Sequence, residues 1–344
     1  MYEWAGQHDG LKIMDSFLAV TRTVDNSYHV CGSFGDIYIQ IALIKEKYLS
    51  DKLKNVDQRI CIFISPKFQQ LVEFNFKDDA ANVIVWLIES NLASTIFNKV
   101  NLIGKHKNFP LRLLPTVYPM IAELIMSGKL LYIDFMRQLI GSNCVGKMAG
   151  LESSAHLAEA HRILNQNQLS IGKTVLICAD NNTHTEFPEE FWFEIIKIIS
   201  SCGWDICLND SGTLHSNDTK YLKQLRGINR MKFIKIPPHL PTSMVTLMGS
   251  YIGGSNGFIT VQACFSSSTV GMHLINCLDA ENGVVKTPGG ESIEINNIYS
   301  RNNYRSVDLG LQIEIPVFSL NDIPYLDIEI KGMLSSISKE TRVI

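Results

Sequence analysis

The second half of the chain constrains the fold most, because apolar runs of strand length alternate there with runs of helical period. "KTVLICAD" (173–180) is short, apolar and β-branched, the pattern of a buried parallel strand. After a polar loop, "FPEEFWFEIIKIISSCG" (187–203) carries the punctuation of a helix. Pro188 suits its first turn, Glu189 and Glu190 complement the positive end of the dipole, and Gly203 suits the C-terminal stop. "WDICLND" (204–210) and "MKFIKIPP" (231–238) read as the next strands. "LPTSMVTLMGS" then reads as a short helix, "YIGG" as a short strand, "NGFITVQACFSS" as a helix and "STVGMHLI" as a strand.

The first half repeats the alternation less legibly, with "RICIFIS" and "NVIVWLI" (82–88) as strands and "YPMIAELIM" and "LLYIDFMRQLI" as helices. Strand–helix alternation twice over predicts α/β architecture, with two Rossmann-like parallel-sheet domains facing across a cleft. A chain of 344 residues is long for one layered core, which agrees with two domains. The first is expected over 1–150 and the second over 171–344. The polar, alanine-rich stretch 151–170 is expected to link them, and the last helix to pack back on the first domain. Ligands of such sheets bind at the carboxyl ends of strands, here in the cleft between domains.

Composition narrows the partners. The net charge of −3 offers no electrostatic case for nucleic acid. The N-terminus carries acids early and lacks a signal-peptide design, and no apolar run approaches the ~18 residues of a membrane span. The eight cysteines form no C-x-x-C pair and no zinc-like spacing, and Cys61 and Cys178 sit inside strand-like runs as small core residues. A reduced, cytoplasmic protein with at most peripheral membrane contact is expected.

Four stretches could carry chemistry. In "YHVCGSFGDIYIQIALIKEKY" (28–48) a strand turns on Gly32, Ser33 and Gly35 into a helix whose first turn holds Asp36. Glycine turns of this kind offer N–H groups to an anion or to an acceptor. Asp36 is either a general base kept ionised by the helix dipole or a plain capping aspartate. In "YIGGSNGFITVQACFSSSTVGMHLI" (251–275), glycines lie between a strand and a helix, beside Ser255, Asn256, Gly257 and Thr260. They make a phosphate site or a simple strand–turn–helix connection. Asn181, Asn182 and Thr183, with His184, follow the first strand of the second half, and Pro237 ends the strand at 231–238; all are placed to meet a ligand at a sheet's carboxyl edge. Between Ser90 and Ala122 there is no acid, while Lys99, Lys105, His106, Lys107 and Arg112 are present. That run is a solvated loop or, through Lys105, Lys107 and Arg112, a rim for an anionic acceptor.

Taken together, these segments resemble the bacterial lipopolysaccharide heptosyltransferases, which share the two-domain GT-B glycosyltransferase architecture. "GSFGDIYIQIALI" is similar to the family's Gly-Asp loop, and the resemblance implies that Asp36 is the base activating the acceptor hydroxyl. "VLICADNNTHTEFPEEFW" resembles the strand, polar loop and Trp-Pro that open the family's second domain, with Phe187-Pro188 in that place. "IGGSNGFITVQACFSSSTVGMHLI" follows the layout of the family's Gly-x-Asp-[Ser/Thr]-Gly-x-x-His loop, with Ser255 for the aspartate and Thr260 for the histidine. Thr185 stands where the family has a phosphate-contacting lysine. The resemblance implies a glycosyltransferase moving sugar from a nucleotide-sugar donor to a glycan, glycolipid or protein hydroxyl. The donor-side residues would be Asn181, Asn182, Thr183, Pro237, Ser255, Asn256, Gly257 and Thr260. No cofactor and no metal are expected, since helix ends and neutral donors would hold the phosphate and no D-x-D pair is present. Two alternatives share the architecture: a nucleotide-sugar epimerase, and a non-catalytic nucleotide-sugar-binding relative.

Overall fold

The computed structural model describes residues 3–4, 19–54, 56–89, 111–112, 120, 124, 132–144, 150–179, 186–209, 230–254, 256–265, 269–278, 280, 284–286, 292–294 and 312–340. The chain divides into two compact units, 1–125 with 129–149, and 126–128 with 150–344.

The first unit is built on β1 (Glu3–Trp4), β2 (Asn26–His29), β3 (Ile60–Ile64), β4 (Val83–Leu87) and β5 (Leu111–Arg112), in the order β1-β4-β3-β2-β5. Every pair is parallel. Each residue of β3 is buried, which is why "ICIFI" is continuously apolar rather than alternating. Helices α1 (Phe34–Leu53), α2 (Gln69–Phe76) and α3 (Tyr132–Leu139) accompany the sheet. The N-terminal half of α1 is buried almost all round, through Ile37, Tyr38, Ile39, Ile41, Leu43 and Ile44. Its polar half is tied down by Glu46, which receives Arg137 of α3 in a two-pronged pair, Nε to Oε1 at 2.9 Å and Nη2 to Oε2 at 2.8 Å. The strand expected at Tyr28–Cys31 lies two residues earlier, at Asn26–His29. Its ladder stops because the chain turns on Gly32. A further strand, β1, precedes it and lies at the sheet edge.

The second unit follows the expected alternation. It comprises α4 (Ser154–Gln166), β6 (Thr174–Cys178), α5 (Glu189–Ser201), β7 (Asp205–Asn209), β8 (Met231–Ile234), α6 (Pro241–Met248), β9 (Gly249–Gly253), α7 (Gly257–Phe265) and β10 (Val270–Asn276). A small antiparallel pair, β11 (Val284–Lys286) with β12 (Ser292–Glu294), then β13 (Gln312–Val317) and α8 (Ile323–Glu340) complete it. The main sheet runs β13-β10-β9-β6-β7-β8, again all parallel. Successive residues alternate between its faces. Val175, Ile177, Ile206 and Leu208 pack with Phe191, Trp192 and Ile195 of α5 and with Leu326 and Ile330 of α8. Leu176, Cys178, Cys207 and Tyr251 pack with Ala160 and Leu164 of α4 and Met244 and Met248 of α6.

Two expectations differ from the structure. The stretch 151–170 is no linker: it folds as α4 and belongs to the second unit, because His156, Ala160 and Leu164 recur every four residues and form a buried stripe. The last helix packs on its own unit's sheet through Leu326, Ile330, Met333 and Leu334. Pro188 caps α5 from outside, in an extended conformation, instead of sitting in its first turn. Gly203 does follow that helix in the left-handed region, at φ 71°.

Both sheets reverse their direction of winding. In the first, β3 and β4 lie to one side of β2 and β5 to the other; in the second, β7 and β8 lie to one side of β6 and β9 to the other. Open α/β sheets bind ligands outside the carboxyl ends of strands at such switch points. The loop after β2 and the loops after β6 and β9 are therefore the places to look.

Candidate functional site

In the first unit the chain leaves β2, turns at Gly32 with φ 117°, and enters α1 with Ser33 as the residue before its first turn. Asp36 sits in that turn and reaches back, so that its Oδ2 accepts the Ser33 N–H at 2.9 Å and the Ser33 hydroxyl at 2.7 Å. This is the carboxylate arm of a capping box. Gly32 is required twice over. Its φ disfavours any side chain, and an added Cβ would lie 2.8 Å from both the Cβ and Oδ2 of Asp36. The carboxylate occupies the space that glycine leaves open.

Burial pushes the Asp36 carboxyl above its ordinary value, and the two Ser33 hydrogen bonds draw it partway back. Gly32 and Ser33 are exposed, while Gly35 is buried. The arrangement thus places a part-buried carboxylate of enhanced basicity beside an accessible turn.

In the second unit, the switch point is organised around the carbonyl of Cys178, the last residue of β6. It accepts the Gly254 N–H at 3.1 Å and the Asn256 Nδ2 at 3.4 Å. Asn256 is 7% exposed, and its Oδ1 accepts the Ile259 N–H at 3.1 Å, capping α7. Its side chain therefore shapes the loop and the helix entrance rather than projecting from them. Gly253 permits this closeness, since a Cβ there would meet Ile259 Cδ1 at 2.6 Å and the Cys178 carbonyl at 2.8 Å. Gly257 begins α7, and Thr260 lies within it. Pro237 follows β8, in a loop whose Ile236 N–H is held by Asn209 Oδ1 at the end of β7.

Asn181, Asn182, Thr183, His184, Ser255, Lys105 and Lys107 lie outside the described residues. Arg112 ends β5 opposite His29, so its backbone stands at the first sheet's switch point. Sequence reasoning missed Gln40, which is 0% exposed and hydrogen-bonded to both backbone groups of Cys31. One signal was present: a carboxamide interrupting "IYIQIALI", where every neighbour is apolar. Among the described residues no three His, Cys, Asp or Glu side chains converge as a metal site, no described cysteine is in a disulfide, and no helix is long and apolar enough to cross a membrane.

No protein-family model and no curated protein matches the sequence. Solved structures do match the fold. The E. coli ADP-heptose lipopolysaccharide heptosyltransferase II is similar over 92% of this chain and 99% of that one, with a TM-score of 0.55 at 10% identity. The glycosyl transferase family 9 protein of Veillonella parvula is similar over 92% and 97%, with a TM-score of 0.54 at 10% identity. E. coli heptosyltransferase WaaC with ADP is similar over 91% and 99%, with a TM-score of 0.55 at 10% identity. The fold is that of the GT-B heptosyltransferase structures.

Proposed function

We propose that the protein is a glycosyltransferase that moves a sugar from a nucleotide-sugar donor to a hydroxyl acceptor, with Asp36 as general base. The observation that carries the reading is the Asp36 carboxylate, fixed at the switch point of the first sheet beside an exposed turn, in a chain with this fold. The acceptor hydroxyl gives its proton to Asp36, its oxygen forms the new bond to the anomeric carbon, and the bond from that carbon to the diphosphate breaks. A carboxyl held above its usual value is better matched to proton abstraction near neutral pH than an ordinary aspartate. The donor's nucleotide would bind the second unit, a reading supported by the ADP in the WaaC structure. The leaving diphosphate would meet the N–H groups that open α7, ahead of the one that Asn256 caps. The scheme uses no metal and no cofactor. The acceptor would be a glycan, a glycolipid or a protein, with Lys105, Lys107 and Arg112 as its rim if it is anionic.

A second reading, a nucleotide-sugar-binding protein without catalysis, is favoured by one observation: Asp36 and Asn256 both have structural employment as helix caps. Thermal stabilisation by ADP, UDP, GDP, CMP and their sugars identifies the nucleotide, since a ligand of the folded state raises its melting temperature by mass action, and turnover of its sugar then separates the two. One nucleotide should stand clear of the rest, and its sugar should then turn over. Asp36→Asn is expected to lower turnover by roughly 10²–10⁴-fold with nucleotide affinity nearly unchanged. Wild-type turnover in that variant would remove Asp36 as base, stabilisation by a nucleotide without turnover of its sugar would favour the non-catalytic reading, and no shift with any nucleotide at millimolar concentration would count against both.

A further inference from the structure

The turn that carries Asp36 is gripped at a second point. The β2 ladder runs out at Val30, whose N–H still donates to Phe63 in β3 at 2.9 Å. Cys31, the next residue, is held by a side chain. Its N–H donates to Gln40 Oε1 at 3.0 Å, and its carbonyl accepts from Gln40 Nε2 at 2.8 Å. A carboxamide presents a donor and an acceptor side by side, as a peptide group does, so Gln40 pairs with Cys31 as a strand neighbour would. It does so at 0% exposure, among Ile39, Ile41 and Leu43.

Asp36 and Gln40 are four residues apart on α1 and so lie on one face of the helix. Between them they hold the three residues that reverse the chain. Gln40 takes both backbone groups of Cys31, and Asp36 takes the N–H and hydroxyl of Ser33. Gly32, at φ 117°, is the pivot between the two grips. The position of Ser33 relative to Asp36 is therefore set by where Cys31 is clamped.

We propose that Gln40 is a positioning residue for the reaction: its two-point clamp on Cys31 holds the Gly32–Ser33 turn against α1 and thereby fixes the Asp36 carboxylate. The role in turnover rests on Asp36 being the base of a glycosyl transfer, whereas the clamp itself does not. Gln40→Met keeps the side chain's length and removes both hydrogen bonds. Gln40→Glu keeps the acceptor for the Cys31 N–H and loses the donor to its carbonyl, so it serves as the conservative variant and as the fallback if Gln40→Met does not fold.

The test is made on the full chain in two arms. Amide hydrogen exchange needs no substrate. In Gln40→Met the Ser33 N–H should exchange at least tenfold faster than in wild type, with Gln40→Glu between the two and the centre of α1 unchanged. A loosening confined to Cys31, with Ser33 exchange as in wild type, overturns the proposal, because the clamp then does not reach Asp36. The second arm measures kcat and donor KM for the sugar of whichever nucleotide stabilises the protein among ADP, UDP, GDP and CMP. A fall of tenfold or more in kcat in Gln40→Met, with KM within twofold and partial recovery in Gln40→Glu, is expected. A change in KM alone, or equal kcat in all three proteins, overturns it. Should wild type turn over none of these sugars, the glycosyltransferase reading fails, while the exchange arm still decides whether Gln40 positions Asp36.

Discussion

Gly32→Ala tests whether the Asp36 turn is as closely fitted as its geometry implies. Two costs act at this position. A side chain at φ 117° lies in a region that L-residues rarely adopt, at about 1–3 kcal/mol. The new methyl carbon would also sit 2.8 Å from Asp36 Cβ and Oδ2, closer than carbon contacts allow, so Asp36 must swing away. That movement breaks the hydrogen bonds to the Ser33 N–H and hydroxyl, and losing a capping interaction costs about 1 kcal/mol. The sum is roughly 2–4 kcal/mol, or about a 5–15 °C fall in melting temperature for a unit of this size. Gly203→Ala is the internal control, because Gly203 has φ 71° but nothing within 4 Å of an added Cβ. It should lose only the conformational part, about 1 kcal/mol. Urea unfolding of wild type and both variants gives the comparison. If Gly32→Ala costs no more than Gly203→Ala, the contact with Asp36 contributes nothing and the fitted turn is refuted.

Further outcomes follow from the charges. Asp36's carboxyl is raised in the folded state, so its favourable contribution is complete below the unfolded value and is lost as pH rises through the folded one. Asp36→Asn should accordingly melt at or above wild type at pH 7 and lose that advantage on acidification; a variant less stable than wild type at pH 7 would contradict the sign. Arg137→Met leaves the Glu46 carboxylate buried without its guanidinium and should cost about 3–5 kcal/mol in urea unfolding. Adding Glu46→Met should recover most of that loss, and a double variant no better than the single one would count against the pair as the cause.

How legible each element was depended on whether its apolar pattern had one reading. "ICIFI" and "TVLIC" could be little else than buried parallel strands, and α5 announced both its ends through Pro188, Glu189 and Gly203. Helix α4 is hard to see among polar residues, because its fully buried stripe is His156, Ala160 and Leu164, and two of those three are not strongly hydrophobic. Strand β1 has two residues, too few to show any period. At the site, Asp36 could be found because glycine turns before an acid are a recognisable local pattern, yet the same pattern describes a cap. The structure gives the cap its hydrogen bonds and leaves the base as a proposal. The chemistry of Asn256 suits a donor ligand, and the burial that turns it inward depends on Cys178, 78 residues away. Gln40 is illegible for a related reason: a polar residue in a helix reads as solvated unless its partner is known.

The Asp36 turn is assembled from bonds between residues no more than nine positions apart. Bringing such near neighbours together carries little chain entropy, and loops of this length close on a timescale of roughly 10–100 ns. The parallel pairing of β2 with β3 joins residues 34 apart and must wait for a longer closure. The turn can thus take shape with the first turns of α1, ahead of the sheet that later supports it. Its integrity then depends on that one helix more than on the global stability of the protein, so substitutions that weaken distant packing should lower the folded fraction while leaving the geometry of each folded molecule intact.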